Sequence, residues 1–472
     1  MAVPILIAAI LPFLAAVVGT EMVRQYALRS SMIDVPNERS SHVIPTPRGG
    51  GIAIASTVLV AMPVLWWLLP DQRWAICGLL VSGLLIAGVG LLDDRYGLSA
   101  RLRIVVHFAA ASWLLFCVGG DIHIDFGSID VTWIFLPACA IGVVWCTNLF
   151  NFMDGIDGFA GGQAFVAALT VAVIGLIHGD SLLSLLMLIT ASASAGFLVW
   201  NWPPARIFMG DCGSGFLGFL FGAIIVVGLA NGHTTLAAGM MVMPVFVIDA
   251  TLTLLRRILT GEPWLQPHRS HAYQLATRMG ASHLQVTSVA LVCFAVAGLL
   301  AIGIDTDAAY AAVLSIVFCS LIALLWGLIT LTFAGRQRVV SLMREPQVSV
   351  TKSELAALSY LRFRQWHSNK MTRRSNMPPK DLLVEATGVA SDLGYNVSHD
   401  WLEGCGGGRC EVAGEKWILL DFAMSKQDRI RQILLAIHDE ISDLDTISTD
   451  LRDVLKRTVP NCGSVENRRK AA

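Results

Sequence analysis

The sequence predicts an all-α polytopic membrane protein with about eleven transmembrane helices and a small C-terminal soluble α/β module. Of its 472 residues, 55% are hydrophobic and only 15% are charged, whereas soluble domains carry about 25% charged residues. The mean hydropathy is +0.63, and apolar stretches recur throughout the first 335 residues. Most of the chain is therefore expected to lie in a lipid bilayer, and no nucleic-acid partner is expected.

Eleven apolar segments have the roughly 17–25 residues that a helix needs to cross the hydrocarbon core. Several are short, so a count of ten is the alternative. With the N-terminus outside, the inner loops carry twelve Lys or Arg residues and the outer loops carry only Arg73. Because positive loops stay in the cytoplasm, this bias predicts a multi-pass protein with cytoplasmic inner loops and a cytoplasmic tail. The segments fall near 3–23, 51–70, 74–92, 103–119, 131–150, 161–178, 181–200, 213–230, 236–256, 284–303 and 308–334.

Charge divides the chain after this membrane domain, which is predicted to span residues 1–335. Residues 336–380 hold ten Lys or Arg against two Glu, which predicts a basic linker beside the membrane. Residues 381–472 hold eleven basic and sixteen acidic residues, and they are predicted to form a small cytoplasmic module of unknown function. Within this module, 416–420 is a strand candidate and 426–441 is a helix candidate.

A polar motif ends the fifth apolar segment. Asn148, Asn151 and Asp154 recur at three-residue intervals, so neighbouring members share a helix face. The glycines of the turn 154–158, which also contains Asp157, then break the helix. A solvated helix end is the alternative, but such an end would not require this strict period. Ionisable residues at membrane segments are functional candidates by default.

Two further acidic motifs lie at segment ends. Asp93 and Asp94 close the third segment, where the helix dipole opposes negative charge, so a metal or a cationic partner is needed unless solvent alone surrounds them. Asp211 lies directly before the eighth segment. Carboxylates grouped at neighbouring helix ends repel one another unless a cation lies among them. Ligation by oxygen alone suits Mg²⁺ or Mn²⁺ shared with a substrate phosphate.

Two other segments supply groups that can bind phosphates or a base. Glycines around Asp211 allow a phosphate to approach the N–H groups of the following helix, and Phe208 offers an aromatic face. His268, Arg269 and His271 lie in the last large cytoplasmic loop and can bind a diphosphate. A zinc site is the competing interpretation of this loop, but no cysteine or third close histidine supports it.

Two isolated polar residues lie within apolar segments. Asp249 lies two helical turns before Arg256 on one face, and both a buried structural role and a catalytic role are open for it. His107 is a lone histidine in an apolar helix and is expected to be a packed core residue.

Together these motifs resemble the polyprenyl-phosphate N-acetylhexosamine-1-phosphate transferases. That family includes the phospho-N-acetylmuramoyl-pentapeptide transferases of peptidoglycan synthesis and the enzymes that start O-antigen and related polymers. The first cytoplasmic loop, residues 34–50 with Arg48, is also similar to that of the family. The resemblance covers about residues 1–335, with the motifs in the family's order.

The resemblance implies a role for each site residue. It implies Mg²⁺ or Mn²⁺ held chiefly by Asp211 with help from Asp154 or Asp93, and Asp94 beside the lipid phosphate as a base or positioning carboxylate. The implied substrate contacts are Asp157 and Phe208 with uracil, Asn151 with the nucleotide, His268, Arg269 and His271 with the phosphates, and Asn148 and Arg48 elsewhere in the substrate site.

The implied reaction transfers an N-acetylhexosamine 1-phosphate from a UDP-N-acetylhexosamine to undecaprenyl phosphate and releases UMP, at the bacterial inner membrane. Gly97 stands where the family often has a charged residue, and the histidine loop lacks the adjacent histidines typical of the peptidoglycan enzyme. These departures favour O-antigen, capsule or exopolysaccharide initiation. The phospho-N-acetylmuramoyl-pentapeptide transferase is the alternative within the family, and a carboxylate-based ion-coupled transporter is the alternative outside it. Assembly as a homodimer is left open.

Overall fold

The computed structural model of the protein describes residues 2–30, 32–34, 45–121, 125–126, 129–130, 132–262, 268–344, 379–400, 408–412, 415–421, 425–438, 440 and 448–458. The chain divides into two compact units, Met1–Arg344 and Glu345–Ala472. The described residues are mostly helical, which confirms the predicted all-α polytopic membrane protein. Residues 35–44, in the loop predicted to be the first cytoplasmic one, and much of the predicted basic linker, 345–378, lie outside the described residues.

Ten helices in the described residues of the first unit are long and apolar enough to cross a membrane. The chain is therefore a multi-pass membrane protein. The helices of this unit are α1 (Ala2–Arg29), α2 (Gly51–Leu68), α3 (Arg73–Tyr96), α4 (Ala100–Val118), α5 (Thr132–Phe152), α6 (Phe159–His178), α7 (Ser181–Asn201), α8 (Asp211–Ala230), α9 (Leu236–Met241), α10 (Pro244–Leu259), α11 (Ala272–Arg278), α12 (His283–Asp305) and α13 (Ala311–Arg344). All except α9, α10 and α11 belong to the ten.

One predicted span is not a single helix. The segment 236–256 contains both α9 and α10, which are separated at Val242 and Met243. Pro244 explains the break, because it has no N–H to extend the hydrogen bonding of α9 and its fixed φ suits the first position of a helix. The other ten predicted spans each coincide with one long helix.

Helix α8 lies at the centre of the first unit. It packs against α2, α3 and α5, and nearly all of its residues are buried. Glycines permit these close packings: a Cβ at Gly218 of α8 would lie 2.9 Å from the Cα of Thr147, and one at Gly90 of α3 would lie 2.6 Å from the Cα of Cys212. Because Gly90 lies one turn before Asp93, the same approach brings the acidic end of α3 to the start of α8.

Short antiparallel strand pairs complete the described part of the first unit. Strand β1 (Ile33–Asp34) pairs with β2 (Thr46–Pro47), and β3 (Asp125–Phe126) pairs with β4 (Ile129–Asp130). Helix α13 continues to Arg344, beyond the end of the predicted span at residue 334.

The second unit has a three-stranded sheet and three helices in its described residues. Strand β5 (Tyr395–Asp400) runs parallel to the central β7 (Glu415–Asp421), and β6 (Gly408–Val412) runs antiparallel to β7. The predicted strand and helix of this module are confirmed, although the helix ends earlier than expected. The elements are α14 (Pro379–Asp392), β5 (Tyr395–Asp400), β6 (Gly408–Val412), β7 (Glu415–Asp421), α15 (Lys426–Ile437) and α16 (Thr449–Thr458).

Candidate functional site

The site begins where the end of α3 meets the start of α8. The first N–H groups of a helix have no partner within the helix, and in α8 those of Asp211 and Cys212 donate to the carboxylate of Asp94 at 2.9 and 3.0 Å. The side chain of Asp94 is fully buried, at 0% exposure. Gly210 has φ +79°, and a Cβ there would lie 2.8 Å from the Asp94 carboxylate. Glycine is therefore required for this contact.

Arg48 reaches the same carboxylates from the loop between α1 and α2. Its backbone forms a β-bridge with Phe208, and the N–H of Phe208 donates to the carbonyl of Pro47 at 2.8 Å. The Arg48 Nε lies 2.8 Å from Asp94 Oδ1, and its Nη2 lies 2.5 Å from Asp211 Oδ1. The backbone pairing of two separate loops thus places one guanidinium between two acids.

A second guanidinium, from Arg103 in the first turn of α4, contacts Asp93 and also Asp211. Its Nη1 lies 2.5 Å from Asp93 Oδ2 and 3.2 Å from Asp211 Oδ2. The N–H of Leu98 also donates to Asp93 at 2.6 Å. The acidic end of α3 is therefore compensated by cationic partners in the structure, one of the two solutions that the sequence left open.

The turn after α5 brings Asp154 to this cluster. Asn151 donates to Ser214 Oγ at 3.1 Å and hydrogen-bonds to the Asp211 carboxylate. Asp154 accepts a hydrogen bond from the backbone of Gly210, and burial raises its pKa to about 7. Arg48 opposes that rise, whereas the nearby carboxylates of Asp211 and Asp94 add to it. Four carboxyl groups, those of Asp93, Asp94, Asp154 and Asp211, therefore lie close to two guanidinium groups.

Asn148 and Asp157 lie differently from their neighbours in the motif. Asn148 donates to the carbonyl of Val144 at 2.7 Å, and its Nδ2 lies 3.5 Å from Nδ1 of the buried His107. Asp157 accepts the N–H of Ala205 at 3.0 Å and lies 3.2 Å from His283 Nδ1. Asp157 therefore joins the turn 154–158 to the loop before α8 and to the start of α12.

The histidine loop adjoins the turn that carries Asp154. The rings of His268 and His271 lie 5.0 Å apart, and Ser270 Oγ lies 3.0 Å from His268 Nδ1. Burial lowers the pKa of His268 to about 4, and the neighbouring His271 and Arg257 act in the same direction. His268 is therefore neutral at pH 7 and can offer hydrogen bonds to a phosphate rather than charge. His271 is buried, Arg269 is half-buried, and Pro267 lies outside the described residues.

A polar cavity of about 390 Å³ opens beside this cluster. Arg48, Asp94, Asp34, Arg95 and Tyr96 are among the residues that line it. Phe208 is half-buried, and its backbone pairs with that of Arg48 in a β-bridge. Asp94 and Arg48 of the cluster therefore border open space large enough for a phosphate group.

The donor set of the cluster fits a cation that prefers oxygen ligands. Asp93, Asp94, Asp154 and Asp211 supply carboxylate oxygens alone, the ligand type that Mg²⁺ takes, and two arginines leave part of their charge uncompensated. Within the described ranges, no three His, Cys, Asp or Glu side chains are arranged as a ready-made metal site. Arg48 and Arg103 hold the oxygens that a cation would take.

Sequence reasoning missed Arg103 and Tyr273 as parts of this region. Arg103 lies ten residues after Asp93, and its presence in the first turn of the next helix was the only available signal. Tyr273 donates its hydroxyl to the carbonyl of Phe152 at 3.0 Å. No spacing in the sequence indicates that contact, because it joins segments 121 residues apart.

Comparison with known proteins agrees with this geometry. The sequence profile of glycosyl transferase family 4 matches residues 76–229, a range that contains Asp93, Asp94, Asp154 and Asp211. A probable undecaprenyl-phosphate N-acetylglucosaminyl 1-phosphate transferase of Bacillus subtilis (strain 168) is 31% identical over 288 residues, which cover 59% of this chain and 79% of that relative.

Other relatives carry similar names. A decaprenyl-phosphate N-acetylglucosaminephosphotransferase of Mycolicibacterium smegmatis is 31% identical over 335 residues, covering 63% of this chain and 80% of the relative. The undecaprenyl-phosphate alpha-N-acetylglucosaminyl 1-phosphate transferase of Escherichia coli (strain K12) is 26% identical over 295 residues, covering 60% of this chain and 78% of the relative. With its acid cluster at the start of α8 and these matches over most of each relative, the chain belongs to glycosyl transferase family 4.

Proposed function

We propose that the protein transfers an N-acetylhexosamine 1-phosphate from a UDP-sugar to undecaprenyl phosphate and releases UMP. The observation that carries this proposal is the convergence of Asp94, Asp154 and Asp211 with Arg48 at the start of α8. The names of the relatives support the reaction class. A transporter would place such acids near the middle of the membrane, whereas these lie at the ends of α3, α5 and α8.

The proposed reaction exchanges one pyrophosphate for another. An oxygen of the lipid phosphate attacks the β-phosphorus of the donor, the bond from that phosphorus to the bridging oxygen breaks, and UMP leaves with the bond's electrons. The attacking phosphate is already ionised at neutral pH, so no strong base is required. Positioning and charge neutralisation supply most of the catalysis.

The chain's own residues would divide this work between the two substrates. Arg48 faces the polar cavity beside Asp94 and can hold a phosphate there, while Asp94 keeps the N-terminus of α8 in place. The half-buried Phe208 would stack on the uracil, and Asn151 would contact the nucleotide. Arg269 would add positive charge near the donor phosphates, and the neutral His268 would add a hydrogen bond.

We also propose a Mg²⁺ or Mn²⁺ requirement. Asp211 would be the chief ligand, with help from Asp154 or Asp93, because these carboxylates carry more charge than the arginines neutralise. When bound, the ion would polarise the donor phosphates and stabilise charge on the departing UMP. Removal of divalent ions with a chelator should abolish turnover, and addition of Mg²⁺ or Mn²⁺ should restore it.

The membrane context of the proposal follows the loop charges. The acid cluster and the tail would face the cytoplasm of a bacterial inner membrane, where UDP-sugars are available. The departures at Gly97 and in the histidine loop favour initiation of O-antigen, capsule or exopolysaccharide over peptidoglycan synthesis. A homodimer is compatible with this proposal and is not required by it.

A panel of donors tests the proposal. Membranes containing the protein are incubated with radiolabelled undecaprenyl phosphate and one donor at a time. The donors are UDP-N-acetylglucosamine, UDP-N-acetylgalactosamine and UDP-N-acetylmuramoyl-pentapeptide. The proposal predicts a lipid-linked sugar pyrophosphate with an N-acetylhexosamine donor and none with the pentapeptide donor. Product from the pentapeptide alone would move the protein to peptidoglycan synthesis, and no lipid product from any donor would refute the transferase.

A further inference from the structure

A carboxylate outside the acid cluster holds the helix that follows the histidine loop. The N–H groups of Ala272 and Tyr273, the first two residues of α11, donate to Asp249 at 2.9 and 3.4 Å. These are N–H groups without partners inside α11, and negative charge at that position is favoured by the helix dipole. Asp249 is only 6% exposed. A residue 23 positions earlier in the chain therefore fixes the direction of α11.

Asp249 is itself fixed by a chain of hydrogen bonds. Thr253, one turn later in α10, donates to Asp249 Oδ1 at 3.1 Å. Trp326 of α13 donates its Nε1–H to Thr253 Oγ1 at 3.2 Å. The ring of His271 also approaches, with Nδ1 3.5 Å from Asp249 Oδ1. These contacts leave the carboxylate little freedom to rotate. The position of the histidine loop therefore depends on the positions of α10 and α13.

The start of α11 also packs against the turn 154–158, which carries Asp154. The Tyr273 hydroxyl donates to the carbonyl of Phe152 at 3.0 Å, and its ring stacks on Phe159 at 4.7 Å. A Cβ at Gly155 would collide with the Tyr273 hydroxyl and would lie 2.9 Å from Gln274 Nε2. The turn therefore packs on Tyr273 without space to spare. Any shift of α11 would displace the backbone on both sides of Asp154.

We infer that Asp249 is a positioning residue. It acts through α11 and Tyr273 to fix the histidine loop and the turn 154–158 relative to each other. It touches neither the polar cavity nor the acid cluster in the described contacts, so it is not itself a catalytic residue. This inference rests on the proposed transferase function. It adds a connection between two parts of the site that no sequence motif joins.

The test compares Asp249→Asn with Asp180→Asn in the purified full-length chain. Asp180 is a matched control because it is also buried and caps a helix: the N–H groups of Leu182 and Leu183 donate to it at 2.9 Å. It lies at the other end of α6 from the turn 154–158. Asp249→Asn should lower kcat about 10- to 100-fold, since a misplacement of about 1 Å has such an effect, with little change in KM. Asp180→Asn should keep the wild-type kcat per folded molecule.

Hydrogen–deuterium exchange gives a readout that does not depend on activity. In Asp249→Asn, exchange should rise in residues 268–278 and also in 152–158, whereas Asp180→Asn should leave both segments unchanged. The inference would be overturned if residues 152–158 of Asp249→Asn exchange at the wild-type rate. It would also be overturned if Asp249→Asn loses no more kcat than Asp180→Asn. If the wild-type protein has no transferase activity, the proposed function is refuted. The exchange result alone then decides whether Asp249 positions the two segments.

If Asp249→Asn does not fold, Tyr273→Phe tests the proposed connection between α11 and the turn 154–158. This change keeps the buried ring and removes only the hydroxyl that donates to Phe152. Faster exchange in 152–158 and a reduced kcat at an unchanged melting temperature would support the connection. Exchange and kcat equal to the wild type would overturn it.

Discussion

Two groups of buried aspartates lie at opposite ends of the membrane helices, and their surroundings differ. Asp180, at the start of α7, accepts five hydrogen bonds, from Gln72, Leu182, Leu183, Asn231 and His233. Burial alone would raise the pKa of Asp180, but these hydrogen bonds lower it. At the other end, burial raises the pKa of Asp154 to about 7, with Asp211 and Asp94 acting in the same direction.

We propose that this difference separates a structural carboxylate from functional ones. Asp180 is satisfied by neighbours of its own fold, and a nearby carboxylate, Asp305, has His178 at 2.6 Å. The acids at the start of α8 instead crowd together around two arginines, and one of them, Asp94, lines a polar cavity together with Arg48. Like charges held in close proximity destabilise a fold unless a ligand compensates them. We therefore propose that substrate and cation bind at the crowded end.

The largest expected effect is on turnover. Asp211→Asn should reduce kcat about 10²- to 10³-fold, because it removes the proposed chief ligand of the cation that would stabilise charge on the departing UMP. Asp180→Asn should leave kcat unchanged. Both variants are measured with donor and lipid at saturation, and insertion is checked by membrane fractionation. Comparable losses in the two variants would erase the distinction between the two ends.

Stability should show the opposite order. Asp180→Asn leaves some of its donors without an acceptor, which typically costs about 1–3 kcal/mol, so its melting temperature should fall. Asp154→Asn removes a charge from a crowded site and should leave the melting temperature equal or higher. Differential scanning fluorimetry in detergent, without added divalent ions, measures both. A lower melting temperature for Asp154→Asn alone would contradict the assignment of these two roles.

A smaller effect is expected for Phe208→Ala. Stacking of a base on an aromatic ring is worth roughly 1–3 kcal/mol, so the KM for the UDP-sugar should rise about tenfold while the KM for the lipid stays near the wild-type value. Steady-state kinetics with each substrate varied in turn measure this. An unchanged donor KM would mean that Phe208 only packs beside Arg48.

The smallest effect concerns His268 and pH. Its pKa is lowered to about 4 by burial, so the residue stays neutral throughout pH 6–8 and contributes no ionisation there. His268→Gln should lower kcat while the shape of the kcat profile between pH 6 and 8 remains that of the wild type. Because the folded state disfavours the charged form, stability from this group should rise as pH increases from about 4 to the unfolded value near 6.5. A profile that loses a step near pH 7 in the variant would assign a titrating role to His268.

Much of the fold was predictable from apolar patterning. Ten predicted spans each match a long helix, because membrane length and hydropathy constrain the sequence strongly. The segment 236–256 failed as a single helix because Pro244 interrupts it, a local effect that a hydropathy window does not register. The strand 416–420 and the helix beginning at residue 426 were also predicted, and the extension of α13 to Arg344 was not.

The sequence indicated which acids would lie together, but it did not indicate their partners. The sequence indicated that Asp93 and Asp94 need a cation, yet it did not single out Arg103, since that pairing depends on how α4 turns back along α3. Asp249 was left open between a structural and a catalytic role, and its bonds to α11 appear only in three dimensions. Asp157, expected to face uracil by resemblance, also holds Ala205 and His283; its contact with uracil stays a prediction.

One measurement tests the transferase proposal most directly. UDP-N-acetylglucosamine labelled with ³²P at the β-phosphate is incubated with undecaprenyl phosphate and the wild-type protein, Asp211→Asn or Asp180→Asn, and the lipid and nucleotide fractions are separated. The proposed chemistry predicts label in the lipid and unlabelled UMP for the wild type and Asp180→Asn, and no labelled lipid for Asp211→Asn. Label retained in released UDP, with unlabelled sugar in the lipid, would show transfer of the sugar without its phosphate and would contradict the proposal.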